Sequence, residues 1–184
     1  MSAPGTVEVA EETRALPSFE LVYARYFRGI WRTLRRLGVT AAQLDDATQD
    51  VFIVTYRRLA DFDGRSLRGW LYAIALRVAS DYRRGAARRQ ALPLPESLPT
   101  PTPDPARASE LNESVRVLHL LLGELDEAKR AVFVLGELEE LSAPEIAEAL
   151  GVNLNTIYSR QRAARSEFDA ALKRHRARTE RRQP

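Results

Sequence analysis

The sequence predicts an all-α fold of two small helical domains joined by a proline-rich linker, on three observations. Apolar residues recur at three- and four-residue intervals through the long stretches, and no strand-like alternation competes with them. Residues 91–109, ALPLPESLPTPTPDPARAS, hold six prolines and no periodicity, which reads as an extended, semi-rigid connection between two modules. Residues 141–165, LSAPEIAEALGVNLNTIYSRQRAAR, carry the start and stop signals of two consecutive helices.

The first module spans residues 16–90, after a polar leader, MSAPGTVEVAEETRA, expected to be mobile. From Phe19, the positions Val22, Tyr23, Tyr26, Phe27, Ile30, Leu34 and Leu37 keep a helical period, and Gly38 ends the helix. Arg25, Arg28, Arg32, Arg35 and Arg36 crowd its other faces, as solvated charge or as phosphate contacts. A second helix begins near Thr40 or Ala41 and runs to about Leu59, with Leu44, Ala47, Val51, Val54 and part of Phe52 facing inward. ADFDGRSL, with Gly64 at its apex, is a loop. The third helix, near Ser66 to Arg84, turns Leu67, Leu71, Ile74, Ala75, Val78 and Tyr82 inward.

The second module opens with a helix over Glu110 to Gly123, in which His119 reads as a packed or partly exposed core residue. A helix from Asp126 to about Glu140 follows, with Ala128, Val132, Phe133, Leu135 and Leu138 as core. Glu137, Glu139 and Glu140 crowd its C-terminal end, where the helix dipole disfavours them, so another cause is required. Then Ser142 and Glu145 form a capping box with Pro144 in the first turn. Ile146, Ala147 and Leu150 follow at helical spacing, and Gly151 supplies the left-handed residue that ends that helix. Val152 plugs the turn, Asn153 caps the last helix, and Ile157, Ala164 and Phe168 share one of its faces. Helix, glycine turn and helix together make a helix-turn-helix layout. Its outer face offers Asn155, Tyr158, Ser159 and Arg162, flanked by Thr156 and Arg160, which are donors and acceptors suited to a major groove. The alternative is a helical hairpin with a solvated polar face.

Charge is distributed unevenly. Residues 18–90 hold 14 Arg against 7 acids, residues 110–170 hold 6 bases against 12 acids, and residues 171–184 hold 6 bases and 1 acid. An acidic helix-turn-helix module with a basic tail suits more than one kind of partner. The tail reads as a phosphate-tracking extension or as a solubilising end.

Two surface constellations in the first module invite a functional reading. Asp45, Asp46, Gln49 and Asp50 form a compact acidic patch on one helix face. With no His, Cys or nucleophile beside them, a protein-docking patch or simple dipole complementarity fits better than acid–base catalysis. Further on, Arg68, Trp70, Tyr72 and Arg77, followed by Arg83, Arg84, Arg88 and Arg89, interleave aromatic rings with bases, an arrangement that stacks unpaired bases and holds their backbone. The competing reading makes Trp70 and Tyr72 core.

The absence of cysteine excludes disulfides, thiolate metal sites and a cysteine nucleophile. No apolar run approaches the length of a membrane span, and the N-terminus lacks a signal-peptide pattern. The expectation is a cytoplasmic protein with no membrane insertion, no cofactor, no metal and no catalytic residue.

The stretch LDDATQDVFIVTYRRLADFDGRSLRGWLYAIALRVASDYRR resembles the second conserved region of bacterial sigma-70-type factors of the extracytoplasmic-function (ECF) group. LLGELDEAKRAVFVLGELEELSAPEIAEALGVNLNTIYSRQRAAR resembles their fourth region. The DDxxQDVF pattern, followed by FDGxxxxxWLYxIA and then by a helix-turn-helix, is specific to that family in this order.

The resemblance implies a region-2-like domain over residues 16–90, a flexible linker over 91–109, a region-4-like domain over 110–175 and a basic tail over 176–184. It implies a dissociable, non-enzymatic subunit that recruits core RNA polymerase to promoters and helps melt them. Asp45, Asp46, Gln49, Asp50 and Phe52 would dock on the polymerase clamp. Phe62, Asp63, Gly64, Arg65 and Ser66 would capture a flipped base of the minus-ten element, with Arg68, Trp70, Arg77 and Tyr82 helping to open it as a single strand. Asn155, Thr156, Tyr158, Ser159, Arg160 and Arg162 would read the duplex minus-thirty-five element. An anti-sigma factor is a further implied partner. Arg77 stands where the family often has asparagine, and Ala163 where it commonly has arginine. A stand-alone helix-turn-helix regulator is the rival reading, although no heptad seam suggests the dimer it would need.

Overall fold

The computed structural model describes residues 17–90 and 109–181, and every regular element among them is helical. The leader, the linker up to residue 108 and residues 182–184 of the tail lie outside the described residues. No helix among the described residues is long and apolar enough to cross a membrane.

Three helices make the first module. Helix α1 (Phe19–Arg36) is capped by Ser18, whose Oγ accepts the Leu21 N–H at 3.4 Å, and carries Glu20 in its first turn and Arg35 and Arg36 in its last. Leu37 closes it, and Gly38 leaves at φ 94°. A single 3₁₀ turn (Ala41–Gln43) leads into α2 (Leu44–Arg58), and another (Leu59–Asp61) leads out. The buried hydroxyls of Thr48 and Thr55 donate back to the carbonyls of Leu44 and Val51 at 2.6 and 2.8 Å, so α2 buries them without an orphaned donor. Helix α3 (Leu67–Gln90) runs past the expected end at Arg84. Ser66 caps it, accepting the Gly69 N–H at 3.1 Å.

The second module begins with α4 (Ser109–Glu124) and α5 (Glu127–Phe133), the latter capped by Asp126 at 2.8 Å from the Lys129 N–H. A π-helical turn over Val134–Leu138 then replaces the straight helix expected to about Glu140. Gly136 in this turn leaves room for the Gln161 side chain, whose Nε2 would lie 2.7 Å from a Cβ there. Helix α6 (Ala143–Leu150) has the full capping box between Ser142 and Glu145 and ends at Gly151, φ 64°. Helix α7 (Leu154–Glu180) continues through residues 176–180 of the basic tail. At 1.5 Å per residue it is about 40 Å long. Phe133 and Phe168 stack at 4.4 Å between centroids and tie α5 to α7.

The two modules do not stand apart as the linker composition suggests: their buried residues form one continuous cluster, with α3 packed on α6. The turn after α1 meets the second module at close quarters. A Cβ on Gly38 would come 2.6 Å from Arg130 Nη1 and 3.4 Å from Arg83 Cδ, on a backbone already in the left-handed region. Arg83 donates to the Leu37 carbonyl at 2.8 Å and pairs with Glu127.

Replacing Ser142 by alanine removes the α6 cap and is expected to destabilise the chain by about 1 kcal/mol. Urea unfolding followed by far-ultraviolet circular dichroism measures this, and an unchanged midpoint would show that the box contributes nothing.

Candidate nucleic-acid interface

The helix-turn-helix forms where its signals place it. The Gly151 turn lets the Val152 N–H donate to the Ala147 carbonyl at 3.1 Å, and Asn153 Oδ1 accepts the Asn155 N–H at 2.8 Å. Ile157 and Ala164, both fully buried, seat α7 against the core and so determine which face looks outward. Asn155, Tyr158, Ser159 and Arg162 are on that exposed face, with Thr156 and Arg160 half-buried beside it. The Ser159 hydroxyl donates to the Thr156 carbonyl at 2.9 Å. Among the described residues neither Arg160 nor Arg162 has a carboxylate partner, whereas Arg165 is held by Glu137 at 2.7 Å. Two unpaired guanidiniums next to amide, hydroxyl and phenol groups suit a phosphate-flanked groove.

In the first module, the loop between α2 and α3 turns at Gly64, φ 78°. Asp63 accepts from the Arg65 N–H at 3.1 Å and from Arg65 Nε at 2.7 Å, and these bonds hold its carboxyl below the ordinary carboxylate value. Phe62 packs on Trp70 with ring centroids 5.5 Å apart, leaving both half-buried. Trp70 and Arg77, with Asp63 and Ser66, border a cavity of about 180 Å³ whose far wall is Glu145, Glu148 and Ala149 of α6. The Ser66 hydroxyl donates to Glu145 Oε1 at 2.7 Å, and Arg65 lies 3.5 Å from Glu148. Bonds from Ser66, and then from Ser142, lower the Glu145 pKa. Their contribution to stability is present at neutral pH and is lost as the pH falls below the ordinary value of 4.5.

Several expected members of this face are placed differently. Tyr72 is core, 4% exposed, and its hydroxyl donates to Glu139 at 2.5 Å. Burial, and then that bond, push its pKa up to about 12, so it stays a donor at neutral pH. Arg68 turns inward, donating to the Glu139 carbonyl and lying 5.9 Å over the Tyr72 ring. Tyr82 donates to Asp50 at 2.7 Å and so stands with the acidic patch.

On that patch, Asp45, Asp46, Gln49 and Asp50 are all exposed along α2, and Asp45 accepts from Trp31 Nε1 at 3.1 Å. Phe52 does not reach the surface with them: it is 3% exposed, seated 4.8 Å from the Tyr23 ring and 5.9 Å from Phe27. The patch instead continues into a shallow apolar groove bordered by Phe19, Tyr23, Ile53 and Tyr56. Tyr56 is 68% exposed at its edge. The i, i+4 spacings Phe19–Tyr23–Phe27 and Phe52–Tyr56 were the available signal for this groove.

Comparison with known proteins converges on one family. The model of sigma-70 region 2 matches residues 22–89, and that of sigma-70 region 4 matches residues 116–167. The chain is 32% identical to the RNA polymerase sigma factor NccH of Alcaligenes xylosoxydans xylosoxydans, over 84% of this chain and 87% of that one. It is 30% identical to the ECF RNA polymerase sigma factor SigE of Mycolicibacterium smegmatis, over 90% of this chain and 65% of that one. Among solved structures, CnrH in complex with the cytosolic domain of CnrY matches with a TM-score of 0.64 and 29% identity, covering 84% of this chain and 87% of that one.

Proposed function

Because the chain belongs to the ECF group of RNA polymerase sigma factors, in the sigma-70 family, and so directs core RNA polymerase to promoters, we propose which of its surfaces carry each step. The acidic patch of α2 and its apolar groove dock on core polymerase. The loop at Phe62, Asp63, Gly64, Arg65 and Ser66, with Trp70 and Arg77, captures the single-stranded minus-ten element. The outer face of α7, from Asn155 to Arg162, reads the duplex minus-thirty-five element. Residues 91–109 span the polymerase surface between the two modules. The polymerase supplies the chemistry, and this chain supplies promoter choice and strand opening in the cytoplasm. An anti-sigma factor is a further partner, by analogy with CnrH, whose solved structure holds the cytosolic domain of CnrY.

The observation that carries this reading is the separation of three faces by chemistry. Carboxylates beside an apolar groove suit protein, a ring-and-guanidinium face suits unpaired bases, and unpaired arginines on a recognition helix suit duplex. A stand-alone regulator would leave the first two faces without a purpose.

Asp50→Arg is expected to weaken association with core polymerase roughly tenfold or more, with the helical content unchanged. Because Asp50 also holds the Tyr82 hydroxyl, Tyr82→Phe serves as the control that removes the hydrogen bond alone. Wild-type affinity of Asp50→Arg in a core-binding titration would remove the patch from the docking surface.

A further inference from the structure

Glu139 is an acid at the end of a helix-forming stretch, where its charge is disfavoured, and it is nevertheless buried, 8% exposed. Every group that satisfies its carboxylate comes from the other module. Thr33 Oγ1 and Arg36 Nη1 each donate to Oε1 at 2.7 Å, and the Tyr72 hydroxyl donates to Oε2 at 2.5 Å. Arg68 donates to its backbone carbonyl. The next residue, Glu140, has φ 52°, a left-handed conformation that a non-glycine side chain adopts only where its surroundings impose it.

Closure around Glu139 brings α6 over the loop that leads into α3. Glu145 accepts from the Ser66 hydroxyl and Glu148 lies beside Arg65, so carboxylates already engage a hydroxyl and a guanidinium of that loop. The same interface has a weak side. Among the described residues Arg83 Nε and Arg130 Nε are buried without a partner, although both guanidiniums donate through their other nitrogens, and burial and then the Arg83 charge lower the Arg130 pKa. A buried charge whose donors all come across a module boundary holds a definite geometry with little net stability.

We propose that Glu139 is the latch of a closed state in which α6 masks the strand-capturing face of the first module until the modules separate. The masking half rests on the minus-ten assignment made above, and the latch half does not. In the open state Glu139, Arg36 and Tyr72 regain water, Ser66 and Trp70 become accessible to a single strand, and the exposed Arg65 is released from Glu148.

The chain has no cysteine, so Ala60→Cys and Ser166→Cys, both at exposed positions, give a unique pair of labelling sites, one in each module. In this full-length background the label separation is measured in the parent, in Glu139→Gln and in Arg36→Gln. Affinity for a short fluorescent single-stranded DNA of random sequence is measured on the same samples. The expected result is a longer and broader separation in both variants, a roughly threefold or larger gain in DNA affinity, and unchanged helical content. Unchanged separations in the two variants would overturn the latch. Longer separations with parental DNA affinity would overturn the masking and count against the minus-ten assignment. If Glu139→Gln loses helical content, Arg36→Gln, at a side chain 23% exposed, decides by the same two readings.

Discussion

Ile157→Ala is expected to cost about 2–5 kcal/mol and to remove duplex recognition along with it. Ile157 is fully buried one turn into α7, and with Ala164 it is the contact that seats the recognition helix. Truncation leaves a cavity directly beneath Asn155, Thr156 and Tyr158, so α7 either collapses into it or rides loosely above it. Both outcomes move the outer side chains from the positions that a bidentate base contact requires. Denaturant unfolding gives the stability loss, and footprinting of the upstream promoter element with core polymerase gives the recognition loss. Asn155→Ala provides the contrast. Its side chain is exposed, so stability should stay within about 0.5 kcal/mol while upstream selectivity falls. Equal effects of the two substitutions on stability would mean that α7 is not held as its burial pattern implies.

Trp70→Ala is expected to reduce promoter opening by roughly 10- to 100-fold, the equivalent of losing about 1–3 kcal/mol of stacking on an unpaired base. The ring is half-buried on Phe62 and borders the cavity next to Arg77, so one face rests on the protein and the rest lines the opening. Permanganate reactivity of thymines around the start site reports the opening. Core polymerase association, proposed for the α2 patch, should not change. If opening survives and stability falls instead, Trp70 is a core residue and the capture face lies elsewhere.

Trp70 and Tyr72 show where reading the sequence stops. Both read as aromatics interleaved with arginines, and only one of them is so placed. Two residues apart on a helix, they point about 200° from each other, and the inward stripe that periodicity predicts for α3 passes through Leu71, one position from Tyr72. Phe52 is the same case on α2, a ring within a docking motif that packs against Tyr23 and Phe27. The acidic patch itself, being set by spacing along a single exposed helix face, needed no tertiary information.

Ser18, Ser142, Gly151 and Asn153 mark helix ends through bonds that reach two to four residues, and the apolar periods select inner faces through geometry of similar range. The sequence alone therefore determined an all-helical chain, its helix-turn-helix and the polar faces proposed above for DNA and polymerase. Glu139 instead meets Tyr72, Arg36 and Thr33 across 67, 103 and 106 positions of chain. Whether an acid at a helix end is solvated or buried depends on donors that no local pattern specifies. Only the tertiary structure decided that the modules close on one another, because their closure is a long-range match between one carboxylate and the groups that can satisfy it.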